Sequence, residues 1–156
     1  MEALVRTVPA CRITSLESLR GIGGILCHGC FDVLHLGHVR LFHRARALAP
    51  ELVPLIVTIT ADAYVKKGPG RPVFNQDVRA EMLAAIRVVD YVAIVDEPTA
   101  ISAIQTLRPL FMVKGSEYEG GVGVAAQERH MLEAYGGRLV HNSERLARSS
   151  DLVEQL

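Results

Sequence analysis

Between Ile25 and Arg40 the chain reads Ile-Leu-Cys-His-Gly-Cys-Phe-Asp-Val-Leu-His-Leu-Gly-His-Val-Arg. A short apolar run breaks at Gly29, and an amphipathic pattern resumes at Leu36. That change of period, a buried strand feeding a helix through a tight turn, constrains the fold more than any other stretch. His35 and His38 are three apart and so share one face of the helix's first turn. A helix start offers unpaired N–H groups and a positive dipole end, which attract anions. Two imidazoles there add donors aimed at a phosphoryl group. The stretch reads as an anion site.

The same alternation continues along the chain. Leu52 to Thr60 is rich in Val, Ile and Leu without alternation, as in a central strand covered on both faces. Asp62 to Phe74 reads as a loop, and Asn75 caps a helix that turns Val78, Met82, Leu83 and Ile86 toward the core. Tyr91 to Val95 and Leu110 to Val113 are further strands, separated by a helix with Pro98 in its first turn. A helix over Ala125 to Tyr135 precedes a fifth strand, Arg138 to His141, and Ser149 caps a last helix to Leu156. Strands alternating with helices predict an α/β fold: a Rossmann-like, doubly wound parallel sheet of five strands in a single domain. Residues 1–23 form an arm with a short helix opened by Thr14-Ser15-Leu16-Glu17, and 24–156 form the domain. Ligands in such sheets bind beyond the carboxyl ends of strands, where the strand order switches. Gly29, Lys67, Lys114 and Ser149 all fall on that edge.

The 156 residues carry 17 basic and 17 acidic side chains, and this balance argues against a nucleic-acid or membrane-surface partner. The longest apolar run is interrupted by Pro54 and is too short to span a bilayer, and the first nine residues lack a signal peptide's apolar block. Three cysteines do not make a disulfide framework, so a reducing cytoplasm is expected. One competing reading comes from a different class. Cys27, Cys30, His35 and His38 have the spacing C-x2-C-x4-H-x2-H, which would suit a zinc-stabilised binding module. Against it, Cys27 lies inside an apolar strand, where alternate side chains point to opposite faces.

Gly29 to His38 resembles the His-x-Gly-His signature of the cytidylyltransferase-like nucleotidyltransferases, most of all the adenylyltransferase domains of ADP-heptose synthases. The likeness runs over residues 24 to 156. It implies a reaction joining a nucleoside triphosphate to a phosphorylated sugar, AMP or CMP being transferred and pyrophosphate released, with Mg²⁺ accompanying the triphosphate. A heptose 1-phosphate-like acceptor is the leading implication, and glycerol 3-phosphate or a related alcohol phosphate is the alternative. Such a reaction is an in-line displacement, so the protein mainly positions groups and stabilises charge. His35 and His38 are then hydrogen-bond donors to phosphate oxygens. Gly29, Cys30, Phe31 and Asp32 form the turn under the triphosphate, Asp32 serving either as a contact or as a cap of that turn. Gly37 lets the nucleotide approach the helix backbone.

The resemblance also assigns outlying residues. Lys66-Lys67-Gly68-Pro69-Gly70-Arg71-Pro72 is similar to the family's Lys-Gly-x-x-Arg-Pro loop, with Lys67 neutralising pyrophosphate or incoming phosphate and Arg71 near the substrate. Arg79 matches an arginine of the following helix, where it meets the nucleotide or pairs on the surface with Glu81 or Asp77. Lys114-Gly115-Ser116-Glu117-Tyr118 is similar to a Lys-Gly-Gly-Asp-Tyr turn, which sets Lys114 and Gly115 at the acceptor. Ser149-Ser150 matches a Thr-Thr pair that meets the nucleotide phosphates or merely caps the helix. Cys27-His28 stands where the family commonly has Thr-Asn. Family members tend to be dimers, so a homodimer is expected. Nothing else in the sequence resembles a second nucleotide site, so the acceptor phosphate would come from a separate sugar kinase, unless the chain is an excised domain.

Overall fold

A computed structural model of the chain describes residues 12–115 and 123–142. Within them the chain alternates strand and helix. The strands are β1 (Arg12–Ile13), β2 (Ile25–Gly29), β3 (Leu55–Thr60), β4 (Tyr91–Val95), β5 (Phe111–Gly115) and β6 (Arg138–Asn142). The α-helices are α1 (Leu36–Arg46), α2 (Gln76–Ala84), α3 (Ile101–Leu107) and α4 (Val124–Glu133). All strand pairs are parallel, in the order β1-β4-β3-β2-β5-β6. The five expected strands thus form the sheet, and a two-residue strand, β1, is added at its edge beside Tyr91 and Val92. The chain winds outward from β2 through β3 to β4, then crosses back to β5 and β6. The switch in strand order therefore lies between the carboxyl ends of β2 and β5.

Both faces of the sheet are covered. On one, Ile25, Cys27, Val57, Ile59 and Val113 pack under Leu41, Phe42 and Ala45 of α1 and Ala80 and Leu83 of α2. On the other, Leu26, Ile56 and Met112 meet Ala103, Ile104 and Leu107 of α3 and Leu132 of α4. Burial on both faces explains why β3, Leu-Ile-Val-Thr-Ile-Thr, shows no alternation. Some details differ from expectation. Proline has no N–H for a ladder, so β3 begins after Pro54, and Leu52 is left 96% exposed in a turn. Pro98 precedes α3 instead of entering its first turn. Val78 is exposed, because the inward face of α2 is Arg79, Ala80 and Leu83. The expected last helix lies outside the described residues. Among the described residues no helix is long and apolar enough to cross a membrane.

Candidate active site

The turn between β2 and α1 is shaped by a close approach. A Cβ on Gly29 would meet the Phe31 ring at 3.0 Å, so a side chain there would push the ring by a few tenths of an ångström from its place under the strand end. Phe31 itself takes φ +49°, a left-handed backbone that costs a bulky residue of order 1 kcal/mol or more. Its buried ring compensates: it stands edge-on to His38 at 5.1 Å and tilts against Phe42 at 5.3 Å. The Phe31 side chain is therefore the floor of the turn, and only its backbone is available to a phosphate.

His35 caps α1. Its Nδ1 accepts the Gly37 N–H at 3.1 Å, which in the neutral ring leaves the proton on Nε2 as a donor. The rings of His35 and His38 stack with centroids 3.8 Å apart. Both residues are half-buried, more enclosed than a plain surface helix start would be. Burial, with smaller contributions from His35 and Lys67, lowers the pKa of His38 to about 3. Its Nδ1 is buried without a hydrogen-bond partner among the described residues. Lys67 is exposed, and its charge acts on both His38 and Cys30, which places it beside the turn. Two stacked imidazoles at a helix start, with a lysine at hand, can hold a phosphoryl group.

Two expected nucleotide contacts belong to the scaffold instead. Asp32 is fully buried and accepts from Arg71 Nε (2.6 Å), Val73 N (2.9 Å) and Phe74 N (3.0 Å). A carboxylate so engaged neither touches triphosphate nor caps α1; it docks the end of the lysine-bearing loop onto the β2–α1 turn. Arg71 is correspondingly held by Asp32 through Nε, with its side chain 7% exposed, while its Nη2 is buried without a hydrogen-bond partner among the described residues. Arg79 is neither a nucleotide contact nor a surface residue. Its fully buried guanidinium donates to Phe74 O, Cys30 O, Thr60 O and Asp62 Oδ1, tying together the ends of β2 and β3 and the entry to α2. A helix position flanked by Asp77 and Glu81 gave no sign of that burial.

Lys114, expected at the acceptor, is paired within the chain. Its ammonium is buried against Glu128 of α4, whose other oxygen accepts the Ala100 N–H at 3.0 Å. A lysine neutralised in this way is poorly placed to receive a phosphate. Gly115 ends β5 at the switch point. Ser149 and Ser150, like Ser116, Glu117 and Tyr118, lie outside the described residues. Sequence reasoning missed Glu128, and treated His28 only as a departure. His28 Nδ1 lies 2.9 Å from Thr58 Oγ1, and burial, outweighing Glu128 and Glu97, lowers its pKa to about 4. The zinc reading fails at Cys27. That thiol is sealed in the core among Ile25, Phe42 and Val57, where burial pushes its pKa up and withholds the thiolate a metal needs.

A parallel sheet with its strand switch beside a His-x-Gly-His helix start defines a class. The chain belongs to the cytidylyltransferase-like family, whose model matches residues 26–147. It is a nucleotidyltransferase. Among curated proteins it is 40% identical over 131 residues to the bifunctional protein HldE of Geobacter sulfurreducens, covering 81% of this chain and 25% of that protein. With HldE of Gluconobacter oxydans it shares 38% identity over 140 residues, 88% of this chain and 28% of that one. The chain thus spans about a quarter of the length of these relatives. The lipopolysaccharide core biosynthesis protein of Thermoplasma volcanium shares the fold, with a TM-score of 0.64 and 21% identity over 79% of this chain and 98% of its own. Pantothenate synthetase of Thermus thermophilus does so more loosely, with a TM-score of 0.55 and 16% identity over 84% of this chain and 61% of its own.

Proposed function

We propose that the chain transfers a nucleoside monophosphate, AMP or CMP, from its triphosphate to a phosphorylated sugar of the heptose 1-phosphate kind. An oxygen of the sugar phosphate attacks the α-phosphorus, the bond to the bridging oxygen breaks, and pyrophosphate leaves with the electron pair. The attacking oxygen is already ionised at neutral pH, so no base is needed. The observation that carries this reading is the stacked pair His35 and His38 at the start of α1, with the Nε2 proton of His35 fixed by the Gly37 N–H. His35 and His38 donate to oxygens of the transferring phosphoryl group, where negative charge builds in the transition state. Lys67, exposed on its loop beside them, receives the departing pyrophosphate. Cys30 and Gly29 contribute backbone to the triphosphate, and Gly37 gives it close access to the helix.

The described acidic groups of the turn are committed to Arg71 and Arg79, and among the described residues no cluster of three or more candidate ligands could hold a metal. Mg²⁺ would enter with the triphosphate. Mg²⁺ so bound supplies neutralisation of phosphate charge. A cytoplasmic enzyme working as a homodimer, on a phosphate made by a sugar kinase, completes the proposal. Its test offers ATP and CTP in turn with heptose, heptose 1-phosphate and glycerol 3-phosphate, and measures pyrophosphate. Release should require the phosphorylated acceptor and be greatest with heptose 1-phosphate. Equal release with the free sugar would overturn the mechanism, which takes the attacking group to be an already ionised phosphate oxygen.

A further inference from the structure

One polar row in the sheet has no part in the phosphate chemistry. Thr58 of β3 is in register with His28 of β2. Cys27 of β2 pairs Val113 of β5, so His28 and Lys114 are the next neighbours. Lys114 in turn pairs His141 of β6. Four adjacent strands therefore each place one polar side chain at the same level, a row about 14 Å long at ordinary strand spacing. Two residues earlier, the equivalent row on this face is Ile56, Leu26, Met112 and Leu139, all apolar and packed under α3 and α4. The polar row is thus the point where this face stops being core and becomes the carboxyl edge beside the strand switch.

Its chemistry is mixed and carries no excess positive charge. The Lys114 ammonium is matched by Glu128, and Glu97, which accepts the Ser102 N–H at 2.7 Å, also acts on His28 from the start of α3. Thr58 shares a hydrogen bond with His28, whose Nε2 lies 3.5 Å from Thr60 Oγ1. At the end of the row, both ring nitrogens of His141 are buried with no hydrogen-bond partner among the described residues. Buried polar atoms are nearly always satisfied, so an imidazole with neither nitrogen engaged points to a partner that arrives from outside the protein. The cationic and imidazole groups suited to phosphate, His35, His38 and Lys67, belong instead to the α1 side of the same edge. A ligand lying across the edge meets phosphate-binding groups on one face and, on the other, hydrogen-bonding groups among which the one ammonium is matched by a carboxylate.

We propose that Thr58, His28, Lys114 and His141 form the surface that reads the hydroxyl-bearing part of the acceptor, a sugar or polyol and not a second phosphate. The inference rests on the transfer reading above for the word acceptor, and it can be tested without turnover. Wild type, His141→Phe and His28→Gln are titrated calorimetrically with heptose 1-phosphate, with inorganic phosphate and with the nucleoside triphosphate. Each substitution should weaken heptose 1-phosphate about tenfold, as loss of a hydrogen bond to a hydroxyl does, and leave the other two ligands within about twofold. His141→Phe keeps ring volume and removes no internal bond, so it should fold with an undiminished Tm and carries the test if His28→Gln does not fold. Unchanged sugar phosphate affinity in the folded variants, an equal loss for inorganic phosphate, or no binding of heptose 1-phosphate by wild type would each overturn the proposal. Pyrophosphate release by wild type is followed separately. Sugar binding that is sensitive to His141 without release would overturn the transfer reading alone, and release with insensitive binding would overturn this one alone.

Discussion

Asp32→Ala should be among the most destabilising single changes in the chain. The carboxylate is fully buried, Arg71 opposite it has a side chain 7% exposed, and two backbone N–H groups complete its shell at 2.9 and 3.0 Å. Removing one partner of a buried ion pair costs about 3–5 kcal/mol. Val73 and Phe74, whose N–H groups are also released, are exposed enough to rehydrate, so they add little beyond that range. For a domain of this size the loss is a drop in Tm of about 6–20 °C. Asp32→Asn keeps shape and one acceptor and should lose less. There is also a pH signature. Burial alone would raise the Asp32 pKa, but the N–H groups of Phe74 and Val73 and the Arg71 guanidinium outweigh it and hold it below the ordinary 3.8. A depressed carboxylate contributes stability that is complete above its unfolded pKa and lost as pH falls through the folded one. Urea unfolding at pH 7 and at steps below pH 4 should therefore show the gap between wild type and Asp32→Ala closing toward acid. A loss under about 1 kcal/mol at pH 7, or a gap independent of pH, would refute Asp32 as the anchor of the lysine loop.

Other consequences follow from the same geometry. Arg79→Met should lose about 3–5 kcal/mol by urea titration, since it orphans the Asp62 carboxylate and the carbonyls of Cys30, Thr60 and Phe74; a near-neutral result would show those loops held by other means. The pKa values of His28 and His38 are lowered to about 4 and about 3, so both are neutral in the folded chain at pH 7. A histidine with a depressed folded pKa gives stability that is complete above about 6.5 and falls as pH drops toward the folded value. Unfolding free energy should thus decline between pH 6.5 and 4, and the decline should lessen in His28→Gln. Lys67→Ala should leave Tm unchanged because the side chain is exposed, yet reduce single-turnover transfer more than triphosphate affinity; equal losses would make Lys67 a binding residue only.

Much of the fold was legible because each signal was local. The apolar run of β3, the break at Gly29, and the Asn75 cap over the Val78 N–H at 3.0 Å all act within a few residues. The helix-start histidines were legible for the same reason. What escaped was set by contacts distant in sequence. Arg79 looks like a surface residue until Cys30, 49 positions away, presents its carbonyl. Asp32 looks like a cap until the loop at 71–74 docks on it, 39 or more positions on. Lys114 looks free until α4 brings Glu128 over it. The polar row needs the register of four strands, which no single segment encodes.

The central claim is that His35 and His38 together stabilise the phosphoryl group in transfer. Turnover of His35→Ala and His38→Ala, at saturating triphosphate and sugar phosphate, tests it most directly, with circular dichroism confirming that each variant is folded. Loss of one such donor should lower turnover about a hundredfold or more. His35→Ala should also lose about 1 kcal/mol of stability with its cap. Folded variants that both retain near wild-type turnover would contradict the account.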